Sequence, residues 1–321
     1  MGGCMGEIDI RTNKYMRNND HFADVFNFFL FGGRPVIRPE QLQEMDRSSV
    51  AIPYGKAAEK SVAFEKSRDV IKTLVAKSDG QTSYLLLGVE NQSHIHYAMP
   101  VRNMLYDAIS YTNQVDAVRA KNRNQHFGDD GGAEFLSGLR KGDKLHPVIT
   151  LVIYWSADAW EGPVSLHEML DTDDVNILRF VPDYRLNILA PESIADSDFE
   201  KFSTALAEVF QYIKKSNNKA DLDRLLQENS NFRHMDRESA ELINTVTKSN
   251  IQFEHGKETV DMCTAIQQMR EESMSEGMEK GMENTSFVLK KLYDSGRTDD
   301  MQRAMTDKDY LDRLIKEFCG K

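Results

Sequence analysis

The sequence predicts an α/β protein: a mixed β-sheet flanked by helices, followed by an α-helical C-terminal region. Three observations carry this expectation. Residues 84–89, Tyr-Leu-Leu-Leu-Gly-Val, form an apolar run short enough for a buried strand and too short for a helix. Residues 147–155 are β-branched and apolar on both faces, and they follow a helical stretch, as a parallel addition to a sheet does. From about residue 196 the apolar residues recur at helical spacing.

Taken in order, residues 1–14 show no period and read as a flexible N-terminus. Met1-Gly2-Gly3-Cys4 suggests lipidation, but Gly6 stands where Ser or Thr is expected. Phe22, Val25, Phe26, Phe29 and Leu30 are spaced for an amphipathic helix over 20–31, stopped by Gly32-Gly33. Asp24 lies off that stripe. A short helical turn is expected at 39–42 and a first strand at 46–52, with Asp46 either a site carboxylate or a cap. Residues 54–66 are polar, a loop or part of a helix.

Residues 68–75 and 84–93 are strand-like and flank Ser78-Asp79-Gly80-Gln81, whose Asp-Gly pair suits a tight hairpin. Pairing with little slip brings Asp69 to the level of Glu90 and Gln92. Positions i and i+2 of a strand share a face, so Glu90 and Gln92 leave it side by side at its carboxyl end. The alternatives are structural: Asp69 paired with Arg68 or Lys72, and Gln92 capping backbone groups. His94 and His96 are two residues apart, a spacing for metal ligation on a strand or simply a polar turn.

Pro100 fits the first turn of a helix over about 99–122. Its apolar stripe is Val101, Met104, Leu105, Ala108, Thr112 and Val115. Arg102, Tyr106 and Tyr111 lie beside the stripe; Arg102 is either aimed at the hairpin or a surface residue. Residues 117–146 are polar and Gly-rich, with Arg119, Lys121, Arg123, Arg140, Lys141 and Lys144 against Asp129, Asp130, Glu134 and Asp143. They read as a nucleic-acid-facing loop or a flexible surface insertion.

After the strand at 147–155, residues 156–194 are irregular, with a turn at 160–163, a short helix at 166–170 and a strand at 177–182. Helices follow, marked by Phe199, Phe202, Leu206, Val209, Phe210 and Ile213, then Leu222, Leu225 and Leu226, then Ala240 and Ile243. The expected organisation is an α/β domain over 15–194, a helical extension over 195–255 and a helical tail over 256–321. In the tail, Met274, Met278 and Met282 are spaced by four, a packing seam or a surface for homo-oligomer formation through the C-terminal helices. Gly277 and Gly281 weaken that helix and suggest a hinge. Residues 286–318 read as two or three short helices around Gly296 and Thr306, too acidic for DNA contact.

At 321 residues with 40% hydrophobic and 28% charged residues, the composition is that of a soluble globular protein. No stretch approaches a membrane span, and no secretory signal opens the chain. Three cysteines form neither a metal-ligand spacing nor a disulfide framework, which suits a reducing cytoplasm. A formal charge of −11 opposes non-specific nucleic-acid binding by bulk charge but leaves a local basic surface open.

Two carboxylates held close repel each other unless a cation sits between them, and magnesium suits two carboxylates plus waters and a phosphate oxygen. The pattern Asp69, a hairpin, then Glu90-x-Gln92 resembles the PD-(D/E)XK nuclease core. More narrowly, the segments Phe22-Ala23-Asp24-Val25-Phe26-Asn27, Arg68-Asp69-Val70, Val89-Glu90-Asn91-Gln92-Ser93, Met99-Pro100-Val101-Arg102 and Leu105-Tyr106-Asp107 are similar to the recombination-promoting nuclease (transposase-like) family of bacteria. The strand at 147–155 and Trp160-Glu161-Gly162-Pro163 also fit it, and the resemblance spans roughly residues 15–290.

The resemblance implies a restriction-endonuclease-like core and a magnesium-dependent DNA endonuclease linked to recombination or mobile DNA, with manganese as a substitute ion. It implies Asp69 and Glu90 as metal ligands, Asp69, Glu90, Gln92 and Asp24 as catalytic residues, and DNA as partner. Gln92 stands where the family's Glu-x-Lys form has a lysine. It can orient a water but supplies no charge, so Lys72 or Arg102 is expected to supply it on the substrate side. The competing expectation is a nuclease fold kept for nucleic-acid binding or assembly, without turnover.

Overall fold

Five strands pair in sequence order in the computed structural model, which describes residues 6–44, 50–51, 64–65, 69–78, 81–123, 132–254 and 256–319. β1 (Leu42–Glu44) is antiparallel to β2 (Val70–Ser78), and β2 is antiparallel to β3 (Gln81–Gln92). β3 is parallel to β4 (Val148–Tyr154), which is parallel to β5 (Asn187–Leu189). The parallel step from β3 to β4 uses α3 (Met99–Arg123) as its crossover, because a parallel connection must carry the chain back along the sheet. The hairpin register pairs Val70 with Val89 and Ser78 with Gln81, leaving a two-residue connection at Asp79-Gly80, which lies outside the described residues.

Alternation along these strands assigns two faces. Val70, Lys72, Val89 and Asn91 point to one face, and Glu90 and Gln92 to the other, which Thr150 and Val152 share through the parallel register. α1 (Glu7–Arg17), α2 (Asn19–Phe31) and α4 (Leu206–Lys215) cover the first face, where Phe22, Phe26, Trp155 and Phe210 are buried. α3 covers the second, where the Thr150 hydroxyl donates to Asp107 at 2.7 Å. Asn18 caps α2 by accepting the Asp20 N–H, and Gly32 ends it in the left-handed conformation at φ +62°.

Several sequence expectations change. The segment over residues 7–17 is helical, with Thr12, Tyr15 and Met16 buried, although the expectation was a flexible N-terminus; its stripe is partly polar and so carries a weak apolar period. Residues 1–5, with Cys4, lie outside the described residues. The first strand of the sheet is at Leu42–Glu44, whereas Val50–Ala51 pairs with Phe64–Glu65 in a separate ribbon. Asp46, Arg68 and most of 54–66 are outside the described residues, as are 124–131 of the basic loop. The strand expected at 177–182 is instead preceded and replaced by one helical turn, Val175–Leu178, because Asp174 accepts the Asn176 N–H as its cap. The buried face of α3 runs through Met99, Asn103, Tyr106 and Ile109, rotated from the expected stripe and partly polar.

The chain forms two compact units, one running to Ser249 with Lys257–Val260 and the other made of Asn250–Gly256 with Asp261–Lys321, a division near the expected 255/256 boundary. The helices after 195 belong to the α/β unit because they close its first face. Trp155 packs on Phe210 with ring centroids 5.3 Å apart, and the Tyr15 hydroxyl meets Ser239 Oγ at 2.7 Å on α6 (Arg237–Thr247), after α5 (Lys219–Glu228).

The second unit contains α7 (Met262–Asp294), α8 (Thr298–Thr306) and α9 (Lys308–Cys319). Val288, Leu292, Ala304 and Leu314 form its small core, and Gly296 makes the turn after α7 at φ +70°. α7 is continuous through Gly277 and Gly281, where a hinge was expected, and Met274, Met278 and Met282 are exposed on it. Among the described residues no helix is long and apolar enough to cross a membrane.

Candidate functional site

The candidate site forms at the carboxyl end of β3. Val70 pairs with Val89, so Asp69, just before β2, and Glu90, on β3, lie one step beyond that pair, near the level the sequence spacing predicts. Glu90 lies opposite Val152 in the middle of the sheet and is fully buried, at 0% exposure. A buried carboxylate needs a cation or strong donors. Arg102, in the first turns of α3, provides one: its Nη2 lies 3.2 Å from Glu90 Oε2, with the arginine side chain 28% exposed. Arg102 Nε donates to the Tyr106 hydroxyl at 2.9 Å, one helical turn on. That bond fixes the guanidinium between the sheet and the helix.

The charges here act on one another. Burial raises the Asp69 pKa, offset in part by the Asn91 N–H, then by Arg102, then by Asn13. Burial of Arg102 works against its charge, but Glu90 and Tyr106 together hold its pKa above the ordinary arginine value. Burial also raises the Tyr106 pKa, with Glu90 adding to the rise. Among the described residues, Asp69 and Glu90 therefore both act on the partly buried Arg102 guanidinium.

Behind the acids lies a polar network that the sequence reading missed. Asn91, the middle residue of Glu-x-Gln, donates its backbone N–H to Asp69 Oδ2 at 2.8 Å. Its side-chain Nδ2 donates to Asn13 Oδ1 at 2.8 Å, and its Oδ1 accepts from Trp155 Nε1 at 2.8 Å. Its carbonyl accepts from Gln92 Nε2 at 3.0 Å, so Gln92 is turned toward the backbone. Asn91 thus ties the two strand ends to α1. A signal for Asn13 existed in the spacing of Ile8, Thr12, Tyr15 and Met16, which falls on one helical face.

Two expected site residues are elsewhere. Asp24 is buried, and its carboxylate accepts four bonds of 2.6–2.9 Å, from the N–H and hydroxyl of both Ser203 and Thr204. It fastens α2 to the start of α4 rather than lending an acid to the site. Asp24→Ala leaves those donors unmet and is expected to lower stability by about 3 kcal/mol in urea unfolding.

Lys72 faces away from Glu90 by strand alternation. Its residue is 0% exposed, Nζ donates to the Arg17 carbonyl and to Asn19 Oδ1, and it lies 4.7 Å from the Phe22 ring centroid. It does not supply charge to the acids. Burial pushes its pKa down to about 8. The folded chain therefore binds fewer protons than the unfolded chain between pH 8 and the ordinary lysine value of 10.5. The cost of burying the ammonium is fully present below pH 8 and is relieved as pH rises through that window. The stability of the natural chain relative to Lys72→Met should thus increase from pH 8 to pH 10 in paired urea titrations.

His94 and His96 fall in the turn after β3, and His94 Nδ1 lies 3.0 Å from Ser93 Oγ. Among the described residues no group of three or more His, Cys, Asp or Glu side chains is arranged to hold a metal. A site of two carboxylates lies below that count, and its all-oxygen donor set fits a hard divalent cation that keeps several waters. Comparison of the chain with protein-family models, with curated proteins and with solved structures gives no match.

Proposed function

We propose that this chain is a magnesium-dependent phosphodiesterase, a DNA endonuclease with a restriction-endonuclease-like core. The observation that carries the proposal is that Asp69, just before β2, and Glu90, at the carboxyl end of β3, both act on the Arg102 guanidinium. The mixed sheet, its hairpin and the crossover helix behind it agree with the core that the family resemblance implies. DNA, rather than another phosphodiester, comes from that resemblance alone, as does a link to recombination or mobile DNA.

Asp69 and Glu90 would hold the ion, and bound there it would polarise a phosphoryl oxygen and acidify water for in-line attack. The chain's own residues divide the remaining work. Asn91 fixes Asp69 through its backbone N–H. Arg102 carries a permanent charge beside the acids and is partly solvent-exposed, so it can grip an incoming phosphate by the fork geometry of its donors. Gln92 can orient water by hydrogen bonding once it leaves the Asn91 carbonyl. Lys72, on the far face, takes no part.

A second reading has a specific observation in its favour. Arg102 already offsets Glu90, and Gln92 is neutral and turned to the backbone. Both features suit a nuclease fold that binds or assembles without turnover. Plasmid cleavage in magnesium, compared among the natural chain, Asp69→Asn and Glu90→Gln, decides between them. Cleavage that disappears with either substitution supports the enzyme. Equal cutting by all three, together with magnesium titration heats that do not depend on the two acids, supports the second reading.

A further inference from the structure

A groove of about 350 Å³ opens outside the carboxyl ends of β3 and β4, the end of the sheet at which Asp69 and Glu90 also lie. In open α/β sheets ligands settle in that place. Ser93 and His94, directly after β3, line the groove with Trp155, Ser156 and Asp158, directly after β4. Ser93 follows Glu90 by three residues, about 10 Å along an extended strand. Asp158 is engaged within the chain: its Oδ1 accepts from Asn217 Nδ2 at 3.2 Å, and its N–H donates to Ser156 Oγ at 3.1 Å. Lys248 completes the lining from the end of α6. It stands in the left-handed conformation at φ +53°, where glycine is the usual residue because a Cβ is strained there. The residue is exposed, and among the described residues no hydrogen bond or ion pair holds its ammonium. A lysine kept against its backbone preference, with nothing gained inside the fold, points to a role outside it.

We propose that this groove is a subsite for the substrate strand, in which the Lys248 ammonium grips a phosphate flanking the scissile one. The inference rests on the phosphodiesterase reading and names the surface that holds the rest of the strand. The chain's charge of −11 and the two acids repel a polyanion, so the strand must meet positive charge near the site. Arg102 supplies it beside the acids, and Lys248 supplies it beyond them. A compact ammonium on a flexible stem meets a phosphate as a point charge. Such a contact fixes the position of the strand and reads no sequence. At about 3.4 Å per nucleotide along one strand of a duplex, the groove begins about three phosphates from the scissile one.

Lys248→Gly removes the ammonium and relieves the backbone, so its urea midpoint is expected to be no lower than that of the natural chain. Binding of a short duplex oligonucleotide in calcium, read by fluorescence anisotropy, is expected to weaken about fivefold at about 0.15 M salt, the loss of one phosphate contact. The slope of log affinity against log salt should become shallower by about 0.9. Lys248→Gln, which keeps the strained backbone, should weaken binding by the same factor. Lys290→Gln, an equal change of charge at an exposed residue of α7, should leave affinity and slope unchanged. An unchanged slope in the two Lys248 variants overturns the inference. So does an equal change in Lys290→Gln, which assigns the effect to net charge. A urea midpoint that falls with Lys248→Gly overturns it as well, because the lysine would then be holding the fold. Plasmid cleavage in magnesium by the natural chain, with the slope unmoved in the variants, leaves the phosphodiesterase reading standing without the subsite. A natural chain that neither cuts plasmid nor binds the oligonucleotide overturns the two together.

Discussion

Asp69→Asn and Glu90→Gln each reduce magnesium-dependent cleavage by at least about 10³-fold, the loss expected when several kcal/mol of metal-derived stabilisation disappears. Both substitutions keep size and one acceptor oxygen while removing charge. Glu90→Gln also removes the buried carboxylate that Arg102 offsets, so folding survives while the rate collapses. The measurement is the initial rate of supercoiled-plasmid nicking, with unfolding midpoints taken on the same preparations. A Glu90→Gln protein that keeps within tenfold of the natural rate removes Glu90 from the metal site.

Arg102→Met lowers the unfolding free energy by about 3 kcal/mol in the absence of divalent ions, because it takes the counter-charge from a fully buried carboxylate. The low end of the range for buried pairs applies, since the guanidinium is partly exposed. The same substitution should make magnesium a better stabiliser. Where magnesium is present at about 100 times its dissociation constant, binding to the folded state alone adds about 2.7 kcal/mol. Removing Arg102 also removes the cation already beside Glu90. Urea unfolding of Arg102→Met with and without magnesium should therefore show a larger magnesium increment than the natural chain. Adding Glu90→Gln to Arg102→Met should recover stability and abolish the increment. An increment unaffected by either substitution places any magnesium elsewhere.

The parts of this architecture legible in the sequence are those governed by period and local turn chemistry. Alternation and the Asp-Gly pair bring Asp69 and Glu90 to one level, and strand pairing in the structure agrees. Pro100 marks the start of α3, and Arg102 reaches the acid as the helix position allows. What long-range partners decide was not legible. Asp24 looks like any off-stripe helix acid until Ser203 and Thr204, some 180 residues later, arrive to occupy it. Lys72 appears near Asp69 in sequence, yet three positions along a strand is an odd step and puts the two on opposite faces. Asn13 lay in a segment with a weak apolar period, because its helix buries Thr12 and Asn13 themselves against polar partners. The α3 stripe shifted for the same reason: its inner face includes Asn103 and Tyr106 rather than Val101 and Leu105.

The central claim is that the two strand-end acids bind one ion together. Anomalous diffraction from a crystal soaked in manganese tests it without any turnover. The account predicts a single peak bridging the Asp69 and Glu90 carboxylates, with Arg102 drawn back from Glu90. A well-ordered site with no peak there, and Arg102 still seated against Glu90 at saturating manganese, would contradict it.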